Sequence, residues 1–337
     1  MDYRRFGRSG LYVSPLALGT WRLQRTPEAE IPGLIGAALD VGINLIDSAP
    51  AYGDGRAEEW VGRAIAERGG RDDILLATKC SGPKPRAPNG FNCTRRNIVA
   101  SCERSLRRLR TDYIDLYQVH CVEPDVPADE TLAALTDLVR AGKVRAIGCS
   151  NYTGWQMVES QWCACERGYA RFTSDQSCYN LLDRRLEARS LPAMATYDMA
   201  ELVYSPLASG HLTGKYLGGH GTIPADGVYS GMSREKYDQV YNPQMVAALE
   251  RLRAAADERG VTMTQLALAF VLDQPVVAAA IIGPRTREQL EENLGALAVE
   301  VDDALRRCFD TICKPAEKIF GPGFNRYNHG RPSARWR

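Results

Sequence analysis

At 337 residues the chain is long for one ordinary domain but suits an α/β barrel, which runs to about 250 residues and tolerates insertions. A hydrophobic content of 45% and a charged content of 25% describe a globular protein able to bury a large core. The net charge of +1 gives no electrostatic case for nucleic acid or for a membrane surface. No apolar run approaches the ~18 residues of a spanning helix, and Met1–Gly7 lacks the apolar core of a secretory signal, so the cytoplasm is the expected compartment.

Leu16–Thr20 reads as a first short strand and Ile31–Val41 as a helix closed by Gly42. Ile43–Asp47 is a short buried strand ending in a carboxylate; Ser48–Gly55, with Pro50 and two glycines, turns the chain into a helix over Arg56–Glu67. Ile74–Lys79 is a third strand, followed by a proline-rich loop over 80–92 and a helix over Thr94–Arg110. Tyr113–His120 is a fourth strand with a helix over Thr131–Ala141, and Val144–Ser150 a fifth with a helix over Thr153–Arg167. Phe172–Gln176 and its helix Arg184–Thr196 follow, then the strand Leu202–Ser205. A Gly-rich segment, Gly210–Ser233, separates that strand from helices over Pro243–Glu258 and Thr264–Leu272. Val276–Ile282 is the eighth strand, with a helix over Arg287–Ala298.

Eight strands alternating with helices at this spacing predict a (β/α)8 TIM barrel. Residues 1–315 are read as one catalytic domain and 316–337 as a C-terminal tail. A doubly wound sheet is the competing architecture, but its phosphate fingerprint is missing. Gly53-Asp54-Gly55 begins one, and Glu58 stands where the last glycine belongs. The ten cysteines contain no C-x-x-C pair, and Cys163-Ala164-Cys165 has no nearby histidine to complete a zinc set, so they read as small hydrophobes and no metal is expected.

In a parallel barrel the strand ends share one face, and here they gather Asp47 and Tyr52, Lys79, and His120. Tyrosine is a poor acid at neutral pH, its unperturbed pKa being about 10. A neighbouring ammonium favours the phenolate and lowers that value. Tyr52 is thus a candidate proton donor to a carbonyl oxygen, Lys79 its activator, Asp47 the partner of Lys79, and His120 a second hydrogen-bonding group for that oxygen. Singly, each has an ordinary reading: one rim aromatic among fifteen tyrosines, a turn-forming aspartate, a structural histidine. Only Lys79 resists, since a lysine ending an apolar strand needs a partner or solvent. Together, at successive strand ends, they favour catalysis.

The chain resembles the aldo-keto reductases, in the branch that also includes potassium-channel β subunits. The resemblance rests on Gly10–Thr20, Asp47…Tyr52-Gly53, Thr78-Lys79, Gln118-Val119-His120, Gly148–Tyr152, Tyr204–Leu207 and Gln289–Asn293, in the family's order and spacing. It implies a nicotinamide cofactor bound across the barrel mouth without a Rossmann fold. Ser150, Asn151 and Gln176 match positions that hold the carboxamide, and Tyr204 matches the aromatic stacked on the nicotinamide. Gly19, Thr20 and Trp21 match the floor near the ribose, where Asp47 also lies. Ser205, Pro206, Leu207, Ser209 and Lys215 match the segment crossing the pyrophosphate. Gly283, Arg285, Gln289, Glu292 and Asn293 match the adenosine end, where an arginine suits a 2′-phosphate and so NADPH over NADH. By the same resemblance, Gly210–Ser233 is expected to fold over the cofactor as a strap, against the reading of an idle surface loop.

The tail, with Phe320, Phe324 and Tyr327, is read as a lid or a self-association contact, against a solvated end. The basic run Arg104–Arg110 is read as the outer face of a barrel helix. Loops over 21–30, 80–93 and 121–128, with the tail, are expected to set the substrate. The leading expectation is an NADPH-dependent reductase of aldehydes or ketones acting on a small carbonyl or alcohol. The alternative is an NADP(H)-binding regulatory subunit with little turnover. A metal-dependent barrel hydrolase fails for want of ligands beyond His120 and Asp47.

Overall fold

The computed structural model describes residues 1–80, 92–123, 125–225 and 227–319. A two-stranded antiparallel hairpin, β1 (Arg4–Arg5) and β2 (Tyr12–Val13), precedes eight parallel strands. These are β3 (Leu16–Gly19), β4 (Leu45–Asp47), β5 (Leu75–Cys80), β6 (Ile114–Val119), β7 (Val144–Ser150), β8 (Phe172–Cys178), β9 (Ala200–Tyr204) and β10 (Val277–Ile282). They close in the order β10-β3-β4-β5-β6-β7-β8-β9, so the chain is a (β/α)8 TIM barrel. Closure leaves no barrel strand with an open edge.

The outer layer contains α1 (Ile31–Asp40), α2 (Arg56–Arg68), α3 (Arg95–Leu109), α4 (Ala128–Arg140), α5 (Gly154–Arg167) and α6 (Leu186–Tyr197). It continues with α7 (Arg234–Val240), α8 (Pro243–Arg259), α9 (Met263–Leu272), α10 (Arg287–Leu294) and α11 (Asp303–Ile312). Two apolar clusters result. The larger lies between strands and helices; the smaller fills the barrel with Ala17, Leu45, Ala77, Leu116, Ala146, Ala200 and Leu202. Phe6 and Val13 of the N-terminal hairpin belong to the smaller cluster, so the hairpin plugs one end of the barrel. Where α2 meets α3 the contact is close: a Cβ on Gly62 would lie 2.4 Å from the Arg108 carbonyl oxygen, so only glycine fits.

Several elements depart from the sequence reading. The hairpin, α7 and α11 were not expected. The predicted helix over 287–298 ends as α10 at Leu294 and continues as a 3-10 turn over Gly295–Ala298. Gly210–Ser233 shares a separate small core with α7, in which Tyr216, Tyr229 and, from α7, Tyr237 pack around buried His211. The Arg25 guanidinium donates to the Gly227 carbonyl at 3.2 Å, tying this segment to the loop after β3.

The start of the expected tail is anchored: Arg184 N–H donates to the Glu317 carbonyl and Ile319 N–H to that of Leu182. The lid or self-association reading of residues 320–337, and most of the 80–93 substrate loop, lie outside the described residues. Arg104, Arg107 and Arg110 face solvent as expected, and with Glu59, Arg63 and Arg108 they line a cavity of about 490 Å3 on the outer helical layer. No helix is long and apolar enough to cross a membrane among the described residues. All ten cysteines are free thiols.

Candidate active site

Asp47 is the last residue of β4, in register with Gly19 on one side and Ala77 on the other. Lys79 lies near the end of β5, in register with Gln118 of β6. The neighbouring strand places an ammonium and a carboxylate in one buried layer; Lys79 is fully buried and Asp47 is 2% exposed. Two such charges survive burial only when paired and fully hydrogen-bonded. Here Lys79 Nζ lies 2.8 Å from both Asp47 carboxylate oxygens and 2.9 Å from the Ser48 carbonyl oxygen. Its remaining contact is the Tyr52 hydroxyl at 3.3 Å, on the 3-10 turn that follows Pro50. The ammonium also sits 5.0 Å from the centroid of the Tyr52 ring.

Asp47 takes further donors from β6 and from β8, which faces β4 across the barrel. Gln176 Nε2 donates at 2.7 Å and Gln118 Nε2 at 3.3 Å. Gln118, within the Gln118-Val119-His120 motif, is a further site residue that the strand-end reading misses. The signal was its place two residues before His120, since alternate residues of a strand point to the same face. The Thr20 hydroxyl reaches the Asp47 carbonyl and the Ser48 hydroxyl, both at 3.0 Å.

His120 follows β6 directly and meets the Tyr52 ring edge-on, at 6.0 Å and 86°. Burial, then the Lys79 charge, push its pKa down to about 3, so the ring is neutral near pH 7. Burial, then the Asp47 charge, push the Tyr52 phenol well above its usual value. This corrects the expectation that Lys79 lowers that pKa: the ammonium is paired with Asp47 and the phenol is desolvated, so it holds its proton.

At the end of β7, Ser150 Oγ donates to the Gln176 carbonyl at 2.7 Å, and Asn151 Nδ2 donates to Ser150 Oγ at 3.0 Å and to the His120 carbonyl at 3.3 Å. The half-buried Tyr204 donates its hydroxyl to Asn151 Oδ1 at 2.8 Å. Ser150, Asn151, Gln176 and Tyr204 thus form one chain of contacts running to Asp47. After β9 the backbone takes an uncommon course. Ser205, Ala208, Ser209 and Gly210 have φ of 52°, 50°, 53° and 95°, with Leu207 at −98° between them. The turn is closed by its own backbone: the Ala208 N–H donates to the Ser205 carbonyl at 3.0 Å and the Gly210 N–H to that of Leu207 at 2.8 Å. Lys215 folds over Gly210, its Nζ 2.8 Å from where a Cβ would stand.

At the end of β10, Gly283 is exposed and faces the Arg22 side chain, whose guanidinium stacks 4.5 Å from the Trp21 ring centroid. Arg22 is close enough to Arg285 and Arg25 for their charges to depress its own pKa, below the larger effect of burial. The Arg285 N–H donates to Gln289 Oε1 at 2.9 Å, and Asn293 is buried on the same helix, α10, that carries Glu292. Among the described residues no group of three or more His, Cys, Asp or Glu side chains is placed to hold a metal ion.

Comparison with known proteins agrees with this architecture. The aldo/keto reductase family pattern matches residues 15–310. The aldo-keto reductase YhdN of Bacillus subtilis is 38% identical over 301 residues, covering 86% of this chain and 87% of that protein. A probable voltage-gated potassium channel subunit beta of Arabidopsis thaliana is 35% identical over 308 residues, covering 89% and 92%. The L-glyceraldehyde 3-phosphate reductase of Escherichia coli is 34% identical over 315 residues, covering 88% of each. The chain therefore belongs to the aldo/keto reductase family and is an oxidoreductase of that family.

Proposed function

We propose that the protein is an NADPH-dependent reductase of aldehydes or ketones, and that Tyr52, Lys79, Asp47 and His120 carry the chemistry. The observation that supports this most is the Lys79 ammonium, which touches the Asp47 carboxylate and the Tyr52 hydroxyl at once.

The residues present fit a dinucleotide. The Lys215 side chain, folded over the turn at 205–210, suits a pyrophosphate, and the positive pair Arg285 and Arg22 suits a 2′-phosphate. Tyr204, tethered through its hydroxyl, offers a ring face to a nicotinamide, with Ser150, Asn151 and Gln176 near its carboxamide. Gly19, Thr20 and Trp21 would border the ribose, Ser205, Pro206, Leu207 and Ser209 the phosphates, and Gly283, Gln289, Glu292 and Asn293 the adenosine. When bound, the cofactor supplies hydride to the carbonyl carbon.

As charge builds on the carbonyl oxygen, Tyr52 donates its phenolic proton to it. A high phenol pKa in the resting site is no obstacle, since the developing alkoxide is a far stronger base. The phenolate left behind accepts the Lys79 N–H already aimed at it, so stabilisation grows as the proton leaves. Asp47 holds the ammonium in place, and Gln118 and Gln176 hold Asp47. The neutral His120 ring offers an N–H to the same oxygen, orienting the carbonyl.

The alternative, an NADP(H)-binding regulatory subunit, draws support from the relatives named as potassium channel subunits. The intact four-residue set favours turnover. Cofactor oxidation against a panel of aldehydes and ketones separates the two. The parent should turn over at least one, and Tyr52→Phe should lose roughly 100- to 10,000-fold in rate while still binding NADPH. Undiminished turnover by Tyr52→Phe would overturn the assignment of the proton donor.

A further inference from the structure

A second concave feature lies on the outer helical layer, apart from Asp47 and its partners. Between α2 and α3 a cavity of about 490 Å3 is lined by Arg63, Arg104, Arg107, Arg108, Arg110 and Glu59. Five positive charges there face one negative charge, on a chain whose net charge is only +1. The volume is that of a small-ligand site, but the lining is charged where most such sites are apolar.

Part of this charge has a structural use. Arg107 and Arg108 stand in the last turn of α3, where cations complement the helix C-terminus. Arg63 pairs with Glu28 at 3.4 Å. Arg108 is firmly seated: its Nη1 donates to the carboxylate of fully buried Glu58 at 3.0 Å. The other oxygen of Glu58 accepts from the Thr78 hydroxyl at 2.7 Å. The Arg108 guanidinium crosses Gly55, where a Cβ would stand 2.6 Å away, so a larger residue there would push it off its seat. Arg104, Arg107 and Arg110 are left over. All three are exposed, and none makes an ion pair among the described residues. Like charges at i, i+3 and i+4 destabilise a helix. Setting Arg104 beside Arg107 and Arg108, and Arg107 beside Arg110, therefore costs stability until an anion relieves it.

We propose that this cavity binds a small oligophosphate, a ligand bearing two or more linked phosphate groups. A guanidinium holds phosphate oxygens through two parallel N–H donors, and the seated Arg108 presents one with little freedom left to lose. At a rise of 1.5 Å per residue, Arg104 and Arg110 are spread over roughly 9 Å of α3. One phosphate would meet only part of that row, whereas a linked pair or triple reaches along it. Arg63 closes the cavity from α2, and Glu59, the one acid of the lining, lowers the positive charge without cancelling it. A nucleic-acid strand would need a groove that tracks its backbone; here the lining is a bounded hollow between two helices.

Equilibrium dialysis of the full chain against radiolabelled inorganic tripolyphosphate, at low salt and with saturating NADPH, tests this. One site per chain is expected, since the lining shares no residue with the proposed cofactor positions. The double variant Lys215→Ala with Arg285→Ala, dialysed without NADPH, should keep that site, so a failed cofactor assignment would not be mistaken for a failed anion site. Arg104→Glu combined with Arg107→Glu should weaken binding by roughly tenfold or more, with the far-UV circular dichroism of the parent retained. Orthophosphate should bind more weakly than tripolyphosphate, and added salt should weaken both. No bound tripolyphosphate overturns the proposal. So does binding indifferent to the double charge reversal, or orthophosphate bound as tightly. A single-stranded oligonucleotide bound far more tightly than tripolyphosphate would mark a nucleic-acid surface and overturn it too.

Discussion

At Asp47 one carboxylate accepts from Lys79, Gln176 and Gln118, all in a buried layer. Lys79→Met would leave that charge without its ion partner, at a cost of about 3–5 kcal/mol of stability. Urea denaturation should show this, whereas Tyr52→Phe, which removes only the longest of the Lys79 contacts, should remain within about 1.5 kcal/mol of the parent. Equal stabilities for Lys79→Met and the parent would contradict the pairing argument. Histidine sets a pH dependence. His120 and His211 are both buried with pKa values near 3, from burial first and then from Lys79 and Lys215 respectively. In the unfolded chain each binds a proton below about pH 6.5. Between that pH and about 3 the unfolded state therefore holds more protons, and stability falls as the pH falls, by up to about 1.4 kcal/mol per pH unit for each histidine. Stability of the parent and of His211→Gln, measured from pH 7 to pH 5, should show a shallower slope in the variant. Asp47, Lys79 and His120 could be picked out because each closes an apolar strand. The role of Gln118 and the upward pKa of Tyr52 could not, because they follow from contact across 71 residues of chain and from burial.

Elements show where packing overrides local preference. An alanine in a helix interior is usually better than glycine by about 1 kcal/mol. At Gly62 of α2 the added methyl would meet the Arg108 carbonyl and the Leu109 backbone of α3 at 2.4–2.8 Å. Backbone cannot swing aside as a long side chain can. Gly62→Ala should therefore destabilise by about 1–3 kcal/mol, read as a lower melting temperature; a stabilised variant would mean that α2 and α3 can separate freely. The segment from Gly210 to Ser233 is held by Tyr216, Tyr229 and Tyr237 of α7 rather than by strand pairing. Tyr216→Ala, opening a hole beside His211, should speed hydrogen exchange across 211–241 and leave β4–β7 unchanged; uniform loosening of the barrel would show that the segment is not a separate unit. Its glycines announced a loop, yet its tyrosine core and α7 went unread. A core built from Tyr216, Tyr229 and Tyr237 has neither a strand nor a helix period. In α11 the spacing of Leu305, Phe309 and Ile312 and the Asp302 cap do carry a helix signal.

For the molecule as a whole, ligand binding and folding are linked. Under the proposed function, NADPH at one hundred times its dissociation constant should stabilise the folded chain by about 2.7 kcal/mol, seen as a rise in melting temperature. Arg285→Ala should diminish this far more for NADPH than for NADH; equal losses would refute the 2′-phosphate assignment. The sequence by itself determined the eightfold alternation of strand and helix and the side chains at the strand ends, because both are written in local period and punctuation. The cross-barrel support of Asp47, the protonated state of Tyr52 and the tyrosine core around His211 were decided only by the tertiary structure. Each depends on which surfaces meet and which are left to water, and chain-local patterning does not encode that.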